Sequence, residues 1–504
     1  MKFFIENETI EKNDFYQPES LSKRVVRGGI WVFALRIINR GLGFIRTIIL
    51  ARLLAPSDFG LLGIALLAIS ILETFSQTGF QAALVQKKKN IESYLDTAWT
   101  VSAIRGIFLF LILFSSAPVI AKFFNSPQAT LVIKVIAVST LLSGFRNIGI
   151  IFFQKELEFN KQFIYEFSGT LVDITVAISL AFILRNVWAL VWGGLAANFV
   201  RLFMSYIIHP YRPQIKLEKE KFLKLFSFGK WVLGSSILVF LITQGDDIFV
   251  GKMLGVTALG LYQMAYLISN LPATEITHVI SQVTFPAYSK LQDDLPKLRD
   301  AYLKVFQVTA FISIPLAGAI FVFARDFTQF VLGDKWLPII PIMQVLSFWG
   351  AIRSIGSTAG PAFQGIGNVK IIFKLQFVIL FILVASIYPL ATKFGALGVA
   401  ISVCIATIIP NAIAIAYLAR KILIETRRLI ALILIPLITT VLVVISIQYL
   451  NAFVLPVTGV IHLIIFVFYA IIAYAIIIYL ADKSFDYGIF NTIKYMMERT
   501  WYGR

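Results

Sequence analysis

Apolar runs of about twenty residues recur along nearly the whole chain, broken by short polar stretches rich in proline, glycine and charge. Their approximate centres are residues 40, 72, 107, 140, 174, 198, 236, 270, 312, 350, 379, 407, 438 and 470. The runs are continuous and long, which predicts helices and excludes the short alternating strands of a membrane β-barrel. An all-α polytopic membrane protein of about fourteen spanning helices is expected.

The first run, residues 28–54, departs from the pattern. At 100° per residue, Arg36, Asn39, Arg40, Gly43, Arg46 and Thr47 fall within an arc of roughly 120°, and the rest of the surface is apolar. A charged side chain at the bilayer centre costs about 2.5 to 3.5 kcal/mol on insertion scales. Three arginines on one stripe therefore require a cavity, a partner or a ligand, and this helix is read as one wall of a cationic cavity.

The chain is 58% hydrophobic, with mean hydropathy +0.83 and net charge +18. Such a charge alone would suggest nucleic acid, but the basic residues alternate between loops as membrane topology demands, so no nucleic-acid partner is expected. Roughly 27 of them fall on one set of loops and roughly 7 on the other, which predicts a multi-pass protein with both termini cytoplasmic. The first twenty residues are polar and mixed in charge, unlike a cleavable signal, so the first run serves as signal and span. Cys404 is the sole cysteine, and His209, His278 and His462 have no neighbour at ligand spacing, so neither a disulfide framework nor a metal site is expected. The outer loops are too short for an extracytoplasmic catalytic domain.

Laid on itself at an offset of 200 residues, the chain repeats. Gly29, Trp31, Val32, Ile48, Leu54, Gly60, Leu61, Ala65 and Leu67 match Gly229, Trp231, Val232, Ile248, Leu254, Gly260, Leu261, Ala265 and Leu267 without a gap. Six crossings separate the copies, so both halves run the same way and are expected to be related by an axis along the membrane normal. The expected organisation is a cytoplasmic segment 1–27, an N-lobe 28–210 of helices 1 to 6, and a basic linker 211–224. A C-lobe 225–420 of helices 7 to 12, helices 13 and 14 over 421–482, and a cytoplasmic tail 483–504 follow.

The run LLAPSDFGLLGIALLAISILETFSQTGFQAALVQ, its counterpart DDIFVGKMLGVTALGLYQMAYLISNLP, and FPAYSKLQDD resemble the Wzx-type oligosaccharide flippases of the multidrug/oligosaccharidyl-lipid/polysaccharide exporter superfamily. The resemblance extends from about residue 22 to 420. It implies two pseudo-symmetric six-helix lobes plus two C-terminal helices. It also implies transport of undecaprenyl-diphosphate-linked oligosaccharide repeat units across the bacterial inner membrane, with polysaccharide polymerase and chain-length proteins as candidate partners beside the lipid bilayer.

A sugar diphosphate is anionic, and arginine binds phosphate in bidentate fashion while staying charged. Arg36, Arg40 and Arg46 are thus the expected headgroup ligands, with Arg353, in the glycine-rich stretch SIGSTAGPAFQGIGN, as a C-lobe contributor. Glu73, Gln77 and Gln81 form a stripe at i, i+4 and i+8. Gln77 and Gln81 are candidates for sugar hydroxyls, and Glu73 for an arginine partner or a coupling group. The alternative for the two glutamines is helix-to-helix hydrogen bonding, and for the α1 arginines pairing with intramembrane carboxylates or snorkelling. Arg105, Arg146 and Arg201 either snorkel or draw the headgroup inward, and Asp173 and Glu275 are expected as arginine partners.

The repeat aligns Arg46 and Thr47 with Asp246 and Asp247, which are candidates for an outer gate or for coupling to H⁺ or Na⁺. A sodium site like that of the related lipid II flippases would also need carboxylate and amide ligands on the eleventh span, which shows Lys374 and Gln376 but no acid. The competing classes are a drug/cation antiporter of the same fold, disfavoured by the arginine excess, and a membrane polymerase or ligase. The latter would need catalytic acids or histidines on a large outer loop. With no nucleotide loop, paired carboxylates or nucleophile and base, the chain is read as a transporter without catalytic residues or cofactor.

Overall fold

The computed structural model describes residues 38–76, 91–156, 158–271, 284–453, 459–485 and 487–492. Among them ten helices are long and apolar enough to cross a membrane, and two apolar helices are shorter. The helix over 38–53 and Lys219–Met253 stand beside these. In chain order α1 is 38–53, α2 Pro56–Phe75, α3 Glu92–Phe123, α4 Ala129–Gly144, α5 Phe159–Leu184 and α6 Trp188–Ile208. The second half holds α7 Lys219–Met253, α8 Val256–Ser269, α9 Leu295–Asp326, α10 Ile340–Gly356, α11 Val369–Phe394 and α12 Ala396–Lys421. Two further helices, α13 Thr426–Phe453 and α14 Val460–Phe485, follow. Every expected centre lies inside one of these helices except 270, which is the C-cap of α8.

Local chemistry sets the boundaries. Pro56 opens α2 at a position where its missing N–H costs nothing, and the Asp58 carboxylate accepts the Ala55 N–H at 2.9 Å. The equivalent joint between α7 and α8 turns on Gly255 at φ +88°, which an L side chain rarely adopts. Prolines lie inside α3, α9, α11, α12 and α13. Spanning helices tolerate them because neighbours satisfy the freed carbonyls.

The repeat predicted from the sequence is a physical contact. α2 and α8 pack against each other across the lobe boundary at Gly60 and Gly260. The largest core continues through this crossing, joining Leu61, Ile64 and Leu67 of α2 to Leu259, Tyr262 and Met264 of α8. α13 and α14 pack on α9 through Phe323, Val443, Ile447 and Phe466. The outward faces of α11, α13 and α14 present Phe381, Leu442, Phe468 and Ile471, an apolar exterior suited to lipid.

The joint between the lobes differs from the expected linker over 211–224, because α7 already begins at Lys219. The preceding extended segment lies along the N-lobe. The Asp96 carboxylate accepts the Tyr211 hydroxyl and, at 3.1 Å, the Gln214 N–H. Thr100 Oγ1 accepts the Lys216 N–H at 3.0 Å, and Asn147 Nδ2 donates to the Tyr211 carbonyl at 2.6 Å. Residues up to Glu218 are thus fastened to the N-lobe.

Candidate transport cavity

Among the described residues, cavities open beside α7, and two of them hold charged side chains. The central one, about 530 Å³, lies between the lobes and is lined by Arg40, Arg46 and Thr47 of α1 together with Gly63 and Ser70 of α2. Its far wall is Thr243, Gln244 and Asp247 of α7 with Gln263, Tyr266 and Asn270 from the α8 side. The second, about 330 Å³, lies within the C-lobe between Asp246, Arg353, Trp349, Gln376, Thr407 and Asn411. Thr243 and Tyr266 form part of both walls. Both volumes are in the range that ligands of drug size fill.

Arg40 and Arg46 of α1 line the central cavity. Arg46 also has a protein partner: its Nη2 lies 2.8 Å from Asp173 Oδ1 on α5, and both side chains are about four-fifths buried, at 18% and 24% exposure. Asp173 is thus an arginine partner, as the sequence suggested. The same guanidinium keeps a buried Nε–H with no protein acceptor. A buried, charged donor of that kind calls for an acceptor from outside the fold.

The adjacent aspartates separate. Asp246 turns to the C-lobe cavity, where the Tyr262 hydroxyl donates to its Oδ2 at 2.7 Å, and its carboxylate is 2% exposed. Asp247 turns to the central cavity and accepts from Gln263 Nε2 at 3.2 Å. Successive residues on a helix point about 100° apart, which puts one carboxylate in each compartment.

Arg353 lines the C-lobe cavity and not the one that Arg40 and Arg46 share. Its guanidinium lies 5.0 Å from the Trp349 ring, and Nη1 donates to the Tyr266 hydroxyl at 3.3 Å and to Asn270 Oδ1 at 3.2 Å. Cation–π stacking and two hydrogen bonds hold it against the wall common to both cavities. Glu73 is exposed, and its carbonyl accepts from Arg105 Nη2 at 3.0 Å, while Arg105 Nε donates to the Ser76 carbonyl at 2.9 Å. Arg146 donates to Asn198 Oδ1 at 2.5 Å, and Arg201 lies 3.7 Å from Glu166. Arg36, Gln77, Gln81 and Glu275 lie outside the described residues.

Sequence reasoning missed the α8 ladder. Tyr262, Tyr266 and Asn270 recur at i, i+4 and i+8, and they meet Asp246 and Arg353. The spacing was visible, but two tyrosines and an asparagine in an apolar run look like ordinary helix packing.

The fold is that of an all-α, multi-pass membrane protein. Residues 49–341, more than half of the chain, match the model of the polysaccharide biosynthesis protein family, and the chain belongs to that family. It is 29% identical to the lipopolysaccharide biosynthesis protein WzxC of Escherichia coli (strain K12) over 392 residues, 77% of this chain and 80% of the relative. It is 26% identical over 297 residues to the teichuronic acid biosynthesis protein TuaB of Bacillus subtilis (strain 168), covering 58% of this chain and 62% of TuaB. Among solved structures, the inward closed conformation of the lipid II flippase MurJ aligns with a TM-score of 0.69 at 16% identity. That alignment covers 91% of this chain and 99% of MurJ. An inward-facing multidrug resistance MATE family transporter aligns with a TM-score of 0.62 at 16% identity, over 78% of this chain and 98% of that one. At such identities these two establish the shared fold.

Proposed function

We propose that the chain is a flippase for undecaprenyl-diphosphate-linked oligosaccharide repeat units, moving them from the cytoplasmic to the outer leaflet of the bacterial inner membrane. Membership of the polysaccharide biosynthesis family and kinship with WzxC and TuaB support the substrate class. The observation that carries the reading is the inter-lobe cavity with Arg40 and Arg46 on its α1 wall and the unpartnered Arg46 Nε–H. Guanidinium groups recognise the diphosphate by charge-assisted, bidentate hydrogen bonds. The polar far wall of Thr243, Gln244, Gln263 and Asn270 suits the hydroxyls of the first sugars. The polyprenyl tail stays in lipid. Binding of the anion supplies an acceptor to the guanidinium groups of the α1 wall, and the lobes rock about their common axis to expose the headgroup to the other side. Both termini are cytoplasmic in this scheme, as the basic loops require. Asp246 and Asp247, one in each cavity, are the groups through which H⁺ or Na⁺ would reset the empty carrier. Polysaccharide polymerase and chain-length proteins would receive the product.

The test is transport in proteoliposomes that hold the protein and a short-chain lipid-diphosphate oligosaccharide carrying a fluorescent sugar. Protein-dependent appearance of the sugar in the opposite leaflet, absent for a neutral glycolipid of the same sugars, is expected. Equal transport of the neutral glycolipid, or none of the diphosphate, would refute the reading.

A further inference from the structure

At the end of the lobes where α2 crosses α8, the N-lobe and C-lobe cap each other's helix termini. The last four carbonyls of a helix have no intrahelical donor, and the negative end of its dipole attracts cations. In the last turn of α1, the Ala51 carbonyl accepts the Trp336 indole N–H at 2.9 Å, and the Arg52 carbonyl accepts the Lys335 ammonium at 2.8 Å. The donors belong to the 3₁₀ turn Asp334–Ile339 of the C-lobe. In return, Arg52 donates from Nε to the Val331 carbonyl at 2.7 Å and from Nη2 to the Phe330 carbonyl. Those acceptors end the π-helical turn Phe327–Leu332, which stops at Gly333 with φ +103°. Each helix end lends its cation to the other.

Aromatic contacts back the exchange. Phe59 of α2 meets the fully buried Trp336 edge to face at 5.3 Å, and Phe44 of α1 stacks on Phe327 at 6.2 Å. Every one of these bonds crosses between the lobes and none ties an element to its own lobe. A lobe rotation that opens this end must break all of them together, and the freed carbonyls and cations are then solvated by water. Such a set holds one conformation firmly without locking it, because each net hydrogen bond is modest.

We propose that Arg52, Lys335 and Trp336 are positioning residues of the transport step: they form the outer gate, whose reciprocal capping holds the central cavity shut on the outer side. The word outer rests on the orientation proposed above; the gate itself rests only on the bonds between the lobes.

The test is sidedness of access. In protein carrying Cys404→Ser and Thr47→Cys, the single cysteine lines the central cavity. Proteoliposomes sorted by orientation are treated with a membrane-impermeant maleimide, and labelling is followed from each face. With the gate intact, labelling from the outer face is expected to be slow. Arg52→Gln combined with Lys335→Met removes three hydrogen bonds between the lobes and is expected to raise it at least about tenfold, the lower end for losing three net hydrogen bonds. Both side chains are exposed, so folding is not at risk. Trp336→Phe, which keeps an aromatic ring beside Phe59 while removing the indole N–H and part of the buried ring system, is expected to raise the rate severalfold, and Lys335→Arg to leave it near the starting value. Outer labelling that the variants leave unchanged, or that is already fast with the gate intact, would overturn the proposal. Slow labelling confined to the cytoplasmic face would overturn its outer placement. No lipid-linked sugar enters this assay, so its outcome stands apart from success or failure of the flippase reading.

Discussion

Gly60 and Gly260 occupy equivalent places in the two repeats and lie across from one another at the lobe boundary. A Cβ on Gly60 would sit 1.9 Å from the Val256 carbonyl oxygen, and one on Gly260 would sit 1.9 Å from the Pro56 carbonyl oxygen. Pro56 and Val256 are themselves 200 residues apart, so the contact is reciprocal, as a two-fold axis between the helices requires. Backbone on both sides leaves no flexible atom to yield. Gly60→Ala and Gly260→Ala are each expected to destabilise the protein by about 1 to 3 kcal/mol, the range of overpacked cores. The double variant should cost less than the sum, because the separation that admits one methyl admits the other. Thermal melts of the three variants in detergent check both points; additive losses would contradict a shared crossing.

Arg46 is expected to be coupled energetically to Asp173, 127 residues away on α5. The pair is partly exposed, so its coupling is set at about 1 kcal/mol rather than at the larger values of fully buried pairs. In a double-mutant cycle, Arg46→Gln and Asp173→Asn should each lower stability, and the double variant should be no worse than either single. Denaturation midpoints of the four proteins measure this. Independent effects would mean that the pair does not hold α1 against α5.

His209 predicts a pH dependence of the joint between the lobes. Burial, followed by the nearby Lys161 charge, holds its imidazole below the ordinary histidine range. The neutral ring stacks on Phe152 at 5.6 Å, and its Nδ1 accepts the Tyr211 N–H at 3.2 Å. Because the folded value lies below the unfolded one, the unfolded segment takes up the proton first. Stability is therefore unaffected well above pH 6.5, the unperturbed value of about 6.5 marking where it starts to fall as the medium is acidified. Hydrogen exchange of residues 209–218 should quicken on lowering the pH from 7.5 to 5.5, after correction for intrinsic rates, and His209→Asn should flatten the response. A joint whose protection is equal at both pH values would contradict this role.

The helices were legible because the bilayer fixes their length and composition, and the repeat was legible because the shared crossing demands glycine at both copies. The α1 stripe was equally readable, since three arginines in one apolar run have few physical explanations. Long-range pairings were harder to read. Nothing in the periodicity of α5 singles out Asp173 over Glu166 as the partner of Arg46. The interlocked helix ends were invisible because their acceptors are main-chain carbonyls, which carry no residue signature. A cavity between the lobes was expected to let Arg353 face the α1 arginines, but Arg353 bonds Tyr266 and Asn270 and lines the other cavity.

The central claim is that a positive charge on the α1 wall binds an anionic headgroup. It is tested most directly by transport of a short-chain lipid-diphosphate oligosaccharide in proteoliposomes, comparing the unaltered protein with Arg40→Ala and Arg40→Lys at matched protein levels. Hydrogen bonds to charged groups contribute about 1.5 to 3 kcal/mol, so Arg40→Ala is expected to slow transport by about ten- to a hundredfold. Arg40→Lys, which keeps the charge and loses the planar fork, is expected to recover part of the rate. Transport by both variants at the unaltered rate would contradict the account.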